Sequence, residues 1–208
     1  MFKRKPFIVF EGIECSGKSF HSKNVARFFK KKKIPFFKTR EPGGTFNAEL
    51  IRKIILNKKN NKFDPLTDTL LYLSARNENF IQNIKPHYNN KVIISDRFID
   101  STIAYQHYGL GVNKNLINFI NKKILGSIYP NFTFLMIINL KSSFIRLSKR
   151  NSLNRYDKFK KNFYNKVQSG YLKIAKKNKK KYMVINSDDP IEYNKKKILN
   201  KISKILNL

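Results

Sequence analysis

With 208 residues, 41% of them apolar, the chain is long enough for one domain with a sizeable core, and its longest apolar stretch, FTFLMIINL, is too short to cross a bilayer. A single cysteine excludes an internal disulfide and a cysteine zinc site. A net charge of +31 would suggest nucleic acid or an anionic membrane, but only nine of the 44 basic residues are arginines; the lysines are spread over nearly every segment, and Lys, Asn, Ile and Phe share A/T-rich codons, so base composition accounts for the charge without a specific nucleic-acid or membrane partner.

The basic start MFKRKP leads into an apolar run that ends at Glu11, which is not a signal-peptide pattern, so a cytoplasmic chain is expected. Phe7 to Phe10 read as a buried parallel strand, and Phe20 to Lys33 carry Phe20, Val25, Phe28 and Phe29 at helical spacing. Between them lies GIECSGKS, Gly12 to Ser19, which fits G-x-x-x-x-G-K-[ST]. Such a turn aims backbone N–H groups at an anion, and the following helix adds the positive end of its dipole. In that pattern Lys18 reaches the terminal phosphates and the Ser19 hydroxyl holds Mg²⁺.

A second strand is expected at Ile34 to Thr39, followed by Arg40 in TREPGGT, and a helix from Phe46 to Leu56. One long helix is predicted from Pro65 to Lys85, with Arg76 in its middle. KVIIS, Lys91 to Ser95, reads as a short buried strand that ends in Asp96 and Arg97. Helices follow at about Ser101 to His107 and Lys114 to Leu125, then a strand from Phe132 to Leu140 and a helix from Ser142 to about Lys149. Asn151 to Asp157 are polar and break the pattern. A helix from about Lys158 to Lys177, a strand from Tyr182 to Asn186 and a helix from Pro190 to Leu206 complete the chain. Five apolar strands alternating with helices predict an α/β domain over 1–208, a five-stranded parallel sheet covered by helices on both faces.

Ligands of open α/β sheets bind beyond the carboxyl ends of the strands, which puts Arg40 and Arg97 on the same edge as the Gly-rich loop. Arginine forks onto phosphate oxygens, so the pair reads as a second anion site. Structural ion pairing is the other reading for any one of them. Asp96, ending its strand, sits where a carboxylate holds Mg²⁺; a plain helix N-cap is its alternative role. Arg146, Arg150 and Arg155, with Lys149, bracket the polar break as a mobile basic segment. A GTPase switch would need D-x-x-G after the third strand, where DRFI stands, and N-K-x-D near a later strand, whereas NKFD comes early, at Asn61 to Asp64. Two anion sites on one edge point to phosphoryl transfer.

Taken in order, FEGIECSGKS, TREPGGT (Thr39 to Thr45), LLYLSARNE (Leu70 to Glu78) and SDRFIDSTIAYQ (Ser95 to Gln106) resemble the thymidylate kinases, from about Phe7 to the last helix. The resemblance implies a P-loop nucleoside monophosphate kinase fold, with a short lid at about 146–157, that moves the γ-phosphoryl of ATP onto dTMP with Mg²⁺, a step in dTTP synthesis, and works as a homodimer. It implies that Gly12, Ile13, Glu14, Cys15, Ser16, Gly17, Lys18 and Ser19 cradle ATP. Glu14 would also face the acceptor deoxyribose, Arg40 and Arg97 clamp the acceptor phosphate, and Asp96 help place the metal. Tyr72, where Phe is usual, would stack on thymine, Arg76 bond its edge and Thr102 lie near it. Tyr105 would crowd a ribose 2′-hydroxyl, and Gln106 line the same pocket.

The loop carries no cation before Lys18, so a transition-state cation must come from elsewhere, and the chain here resembles the family branch whose lid, RLSKRNSLNRYD in this sequence, supplies the arginines. The family pattern there is R-x-R-x-R; this chain keeps Arg146 and Arg150 with Ser148 between them, and has Asn154 in place of Asp before Arg155. Arg150 is the first candidate and Arg155 the second. Cys15 stands where Gly or Ala is usual; beside a helix N-terminus and Lys18, a lowered thiol pKa is expected, an inert small side chain being the other reading. Two rival functions are a kinase for another nucleoside monophosphate and a noncatalytic nucleotide- or RNA-binding protein.

Overall fold

The computed structural model describes residues 5–57, 63–150 and 154–208. β1 (Phe7–Gly12) lies at the centre of a sheet ordered β2-β3-β1-β4-β5, with β2 (Phe36–Arg40), β3 (Val92–Asp96), β4 (Phe132–Ile137) and β5 (Tyr182–Asn186), every neighbouring pair parallel. All six residues of β1 are buried, which is why it reads as an apolar run with no alternation. The expected five-stranded parallel sheet is therefore present, with helices on both faces. On one face α1 (Lys18–Lys31) and α9 (Ile191–Leu206) bury Val25, Phe29, Ile198 and Ile202 against Ile8, Phe10, Ile94 and Phe134. On the other, α6 (Lys114–Leu125) and α8 (Lys161–Lys177) contribute Leu125, Val167 and Tyr171 to the cores around Phe7, Val9, Ile93 and Leu135.

The register brings the strand ends together: Phe10 and Arg40 both lie level with Asp96. α2 (Phe46–Leu56) is capped by Thr45, whose side chain accepts from the Ala48 N–H, and α3 (Pro65–Asn79) by Asp64, which accepts from Leu66 and Thr67.

Three elements differ from the sequence expectation. The long helix stops as an α-helix at Asn79, continues as a π-helical turn over Phe80–Ile84 and ends in a short α4 (Lys85–His87). The wider turn lets Arg76 and Asn79 face the strand ends while Phe80 and Ile84 enter the core. The helix expected near Ser101 begins earlier as α5 (Ile99–Thr102) and turns π-helical over Ile103–Gly109, where four consecutive residues, Ile103 to Gln106, are all buried. This segment packs so closely on α8 that a Cβ at Gly170 would lie 2.5 Å from Tyr108 Cδ2. The strand expected to reach Leu140 ends at Ile137, because Asn139 caps α7 (Leu140–Ser148) by accepting from the Lys141 N–H. Of the polar break, residues 151–153 lie outside the described residues, as do 61 and 62 of the NKFD stretch. Tyr156–Lys158 form a 3₁₀ turn and Tyr156 is buried.

Candidate active site

The strand ends open into a cavity of about 550 Å³. Its donor side is the loop between β1 and α1. Gly12 has φ +141°, and a Cβ there would lie 2.2 Å from the Met136 carbonyl oxygen on β4, so only glycine lets the loop leave the sheet at this point. Five successive loop carbonyls each accept a hydrogen bond. Arg97 Nη1 donates to Gly12 at 2.8 Å, Lys18 Nζ to Ile13 at 2.6 Å, Ser143 Oγ to Glu14 at 2.9 Å, Arg146 Nη1 to Cys15 at 3.3 Å and Ser187 Oγ to Ser16 at 2.7 Å. Burial, and after it Arg97, pull the Lys18 ammonium down to about 8. The Ser19 hydroxyl donates to the Asp96 carboxylate across the loop mouth. Cys15 departs from the expectation: burial pushes its thiol up, outweighing the pull of Arg150 and Lys18.

The acceptor side begins at Arg97, held at φ +70° immediately after β3. Its Nη2 pairs with Glu14 Oε1 at 3.0 Å, and Tyr105 OH donates to the other Glu14 oxygen at 2.5 Å. Arg40 is half exposed and clamped by Glu49 of α2 at 2.9 Å. Arg76 is fully buried: Nε donates to Glu41 at 2.8 Å, Nη1 to Asn121 at 2.8 Å and Nη2 to the Phe98 carbonyl at 3.0 Å. The wall also carries Thr102, 1% exposed, whose Oγ1 has no hydrogen-bond partner among the described residues. Tyr72 meets Tyr156 edge to face at 6.0 Å, and Gln106 Nε2 donates to Tyr156 OH at 3.0 Å.

The structure thus brings Glu14, Cys15, Gly17, Lys18, Ser19, Arg40, Tyr72, Arg76, Asp96, Arg97, Thr102, Tyr105, Gln106 and Arg150 to one cavity; Gly12, Ile13 and Ser16 form the loop beneath it. Arg155 does not line it. Its guanidinium pairs with buried Asp68, donates to the Ile55 carbonyl at 3.0 Å and lies over the Phe63 ring.

Several site residues escaped the sequence reading. Tyr156 was hidden in a polar segment, yet its hydroxyl donates to Asp68 and its ring lines the cavity. Glu41 orients Arg76. Glu11, a carboxylate in an otherwise apolar strand, carried the clearest signal. It accepts from Phe98 N (2.8 Å), Ser101 N (3.2 Å), Ser101 Oγ (2.6 Å) and Tyr171 OH (3.0 Å). Burial first, and Asp100 second, push it up to about 7. Burial likewise raises Asp100, whose carboxylate accepts from Tyr182 OH at 2.7 Å.

The loop and the arginine-walled pocket face one another across Asp96 and Arg97, at the carboxyl ends of parallel strands, and that layout is the one used by P-loop nucleoside monophosphate kinases. The family model for thymidylate kinase matches residues 10–198. The thymidylate kinase of Wolbachia pipientis wMel is 42% identical over 172 residues, which cover 81% of this chain and 84% of the relative. That of Sulfurihydrogenibium sp. (strain YO3AOP1) is 39% identical over 181 residues, 86% and 88% of the two chains. The crystal structure of thymidylate kinase from Ehrlichia chaffeensis superposes with a TM-score of 0.75 at 32% identity, over 99% of both chains. The chain belongs to the thymidylate kinase family.

Proposed function

We infer that the chain phosphorylates dTMP to dTDP with ATP, a step in dTTP synthesis, and we propose the following division of labour. The single observation that carries it is the shared cavity, with an anion-binding loop on one side and Arg40 and Arg97 on the other. The P-loop amides and Lys18 hold the ATP phosphates. Arg97 and Arg40 hold the dTMP phosphate, and Tyr72, Arg76, Thr102 and Gln106 receive thymine. The orphaned Thr102 hydroxyl supports this, since a buried hydroxyl is left unpaired only at a cost. Tyr105, whose hydroxyl is pinned by Glu14, would crowd a ribose 2′-hydroxyl.

A dTMP phosphate oxygen attacks the γ-phosphorus, and the bond to the bridging oxygen of ADP breaks. The nucleophile is already anionic, so the side chains position and neutralise. Arg150 faces the cavity and, among the described residues, is held by a 3.6 Å contact with Asp157 alone, which leaves it free to meet the transferred phosphoryl. Arg155 is committed to Asp68, so we assign the lid cation to Arg150.

Among the described residues no cluster of three or more His, Cys, Asp or Glu surrounds a metal. The Ser19 hydroxyl and the Asp96 carboxylate nevertheless fit Mg²⁺, which takes one or two protein oxygens and completes its shell with phosphate and water. Bound there with ATP, Mg²⁺ offsets charge on the β- and γ-phosphates.

We read residues 1–208 as one cytoplasmic kinase domain with a lid at about 146–157; among the described residues no helix is long and apolar enough to cross a membrane. A homodimer is supported by the groove between α2, α3 and α6, where Leu50 and Leu70 are exposed beside Ile120, with Phe119 exposed on α6. The deciding experiment is ADP release with ATP–Mg²⁺ and a panel of dTMP, dUMP, UMP, dCMP, dGMP and AMP, with Lys18→Ala as control. Preference for dTMP, abolished in the variant, is expected. Preference for another acceptor overturns the base assignment, and no turnover by folded, ATP-binding protein overturns the enzyme.

A further inference from the structure

Glu11 is the only charged residue of β1, and it is 1% exposed. A carboxylate buried in a central strand is costly unless its oxygens are satisfied. Four donor groups reach them, and all four belong to the surroundings of Arg97. Oε1 accepts from the N–H groups of Phe98 and Ser101, in the turn that carries Arg97 at positive φ. Oε2 accepts from the Ser101 hydroxyl at 2.6 Å, and the Tyr171 hydroxyl, 3.0 Å from Oε2 and 2.7 Å from Ser101 Oγ, gives its one proton to one of those two oxygens. Those same two hydroxyl oxygens each accept from Arg97 Nη1 at 3.2 Å. No hydrogen bond or ion pair joins Glu11 to Arg97 directly among the described residues.

A hydroxyl has one proton. Where it gives that proton to a carboxylate, its lone pairs are left for an incoming donor. Ionised Glu11 therefore stands at the acceptor end of this hydroxyl cluster, so that Ser101 and Tyr171 both turn lone pairs to the guanidinium. We propose that Glu11 is a positioning residue for the acceptor phosphate, holding Arg97 in its phosphate-binding pose through the hydroxyls of Ser101 and Tyr171 and through the Phe98 turn. This rests on the reading that Arg97 grips the dTMP phosphate.

Glutamine is nearly isosteric and cannot replace the carboxylate. With its amide nitrogen toward Oε1's partners, it faces two backbone N–H donors. With the nitrogen toward the hydroxyls, it donates to them and turns their protons toward Arg97. A role confined to folding would perturb the whole pocket, whereas the proposed role concerns the phosphate alone.

The test is to titrate dTMP and thymidine, which lacks the phosphate, into wild type, Glu11→Gln, Tyr171→Phe and Arg97→Ala, and to follow kcat and KM. Glu11→Gln is expected to weaken dTMP by about 10- to 100-fold, the range found when an orienting partner is lost, with thymidine affinity held within about twofold. Tyr171→Phe, which removes one of the two hydroxyls, is expected to weaken dTMP by about 3- to 10-fold and thymidine not at all. Unchanged dTMP affinity in Glu11→Gln, or equal losses for both ligands, overturns the proposal. Should Glu11→Gln not fold, Tyr171→Phe decides: wild-type dTMP affinity there overturns it. Arg97→Ala with intact dTMP affinity would instead overturn the Arg97 reading, and the proposal with it.

Discussion

Arg150 and Arg155 lie five residues apart in sequence and sit in opposite settings. Arg150 is 41% exposed on the cavity wall; Arg155 is 11% exposed against an Asp68 that is 2% exposed. Removing each should therefore fail differently. Arg150→Ala is expected to lower kcat by about 10³ with little change in KM for dTMP and a smaller loss of stability than Arg155→Ala, since its contact with the buried Asp157 side chain is 3.6 Å long. Arg155→Ala leaves a buried carboxylate without its cation, and a loss of about 3–5 kcal/mol in denaturant unfolding is expected. An unchanged kcat in the first, or an unchanged unfolding midpoint in the second, would sink the assignment.

Lys18 supplies a pH dependence at the same scale. Its ammonium is depressed to about 8 in the unliganded protein, and bound phosphate draws it back up. Below about 8 the lysine is charged and ready for ATP. As pH climbs through that value, binding must first take up a proton, so the ATP dissociation constant should rise, by at most about tenfold per pH unit. Calorimetric titrations from about pH 6.5 to about pH 9.5 check this, and a flat profile contradicts it.

Elements carry the site through their contacts with one another. The π-helical segment Ile103–Gly109 holds Tyr105 and Gln106 at the pocket because α8 presses on it at Gly170. Gly170→Ala puts a methyl against Tyr108 and should cost about 1–3 kcal/mol. The shift it forces in the π segment should also raise KM for dTMP; urea unfolding with steady-state kinetics tests both. At this scale the sequence was legible where local signals ruled. Phe46–Leu56, Lys114–Leu125 and Tyr182–Asn186 were placed to the residue because Thr45 and Asn113 cap the two helices and turns bound the strand. The π-helical turns were not legible, since a periodicity of 3.6 does not report a locally wider turn that tertiary packing imposes. Residues of the motif loops that the structure places at the cavity were readable from Gly12 to Ser19 and from Asp96 to Gln106. The side chains that orient them, Glu41, Asp68 and Tyr156, were not, because their partners lie 35 to 88 residues away in sequence.

At the scale of the whole molecule, both substrates are anions and the chain carries a net charge of +31. A field of that sign raises their local concentration and is screened by salt. KM values for ATP–Mg²⁺ and dTMP are expected to rise by about 3- to 10-fold between low and high ionic strength while kcat holds. A KM indifferent to salt would show that the lysines contribute nothing to capture.

The five successive carbonyls of the loop, Gly12 to Ser16, are each taken by a side-chain donor, Lys18 from the motif itself and the others from Arg97, α7 and the loop after β5. In a trans peptide the N–H points opposite to its C=O, so fixing the carbonyls fixes five peptide planes and the direction of the amides behind them. The cage for the phosphates is thereby cast before any nucleotide enters, and little backbone entropy remains to be lost on binding. Ser143 and Ser187, which need never touch the nucleotide, become determinants of how tightly it is held.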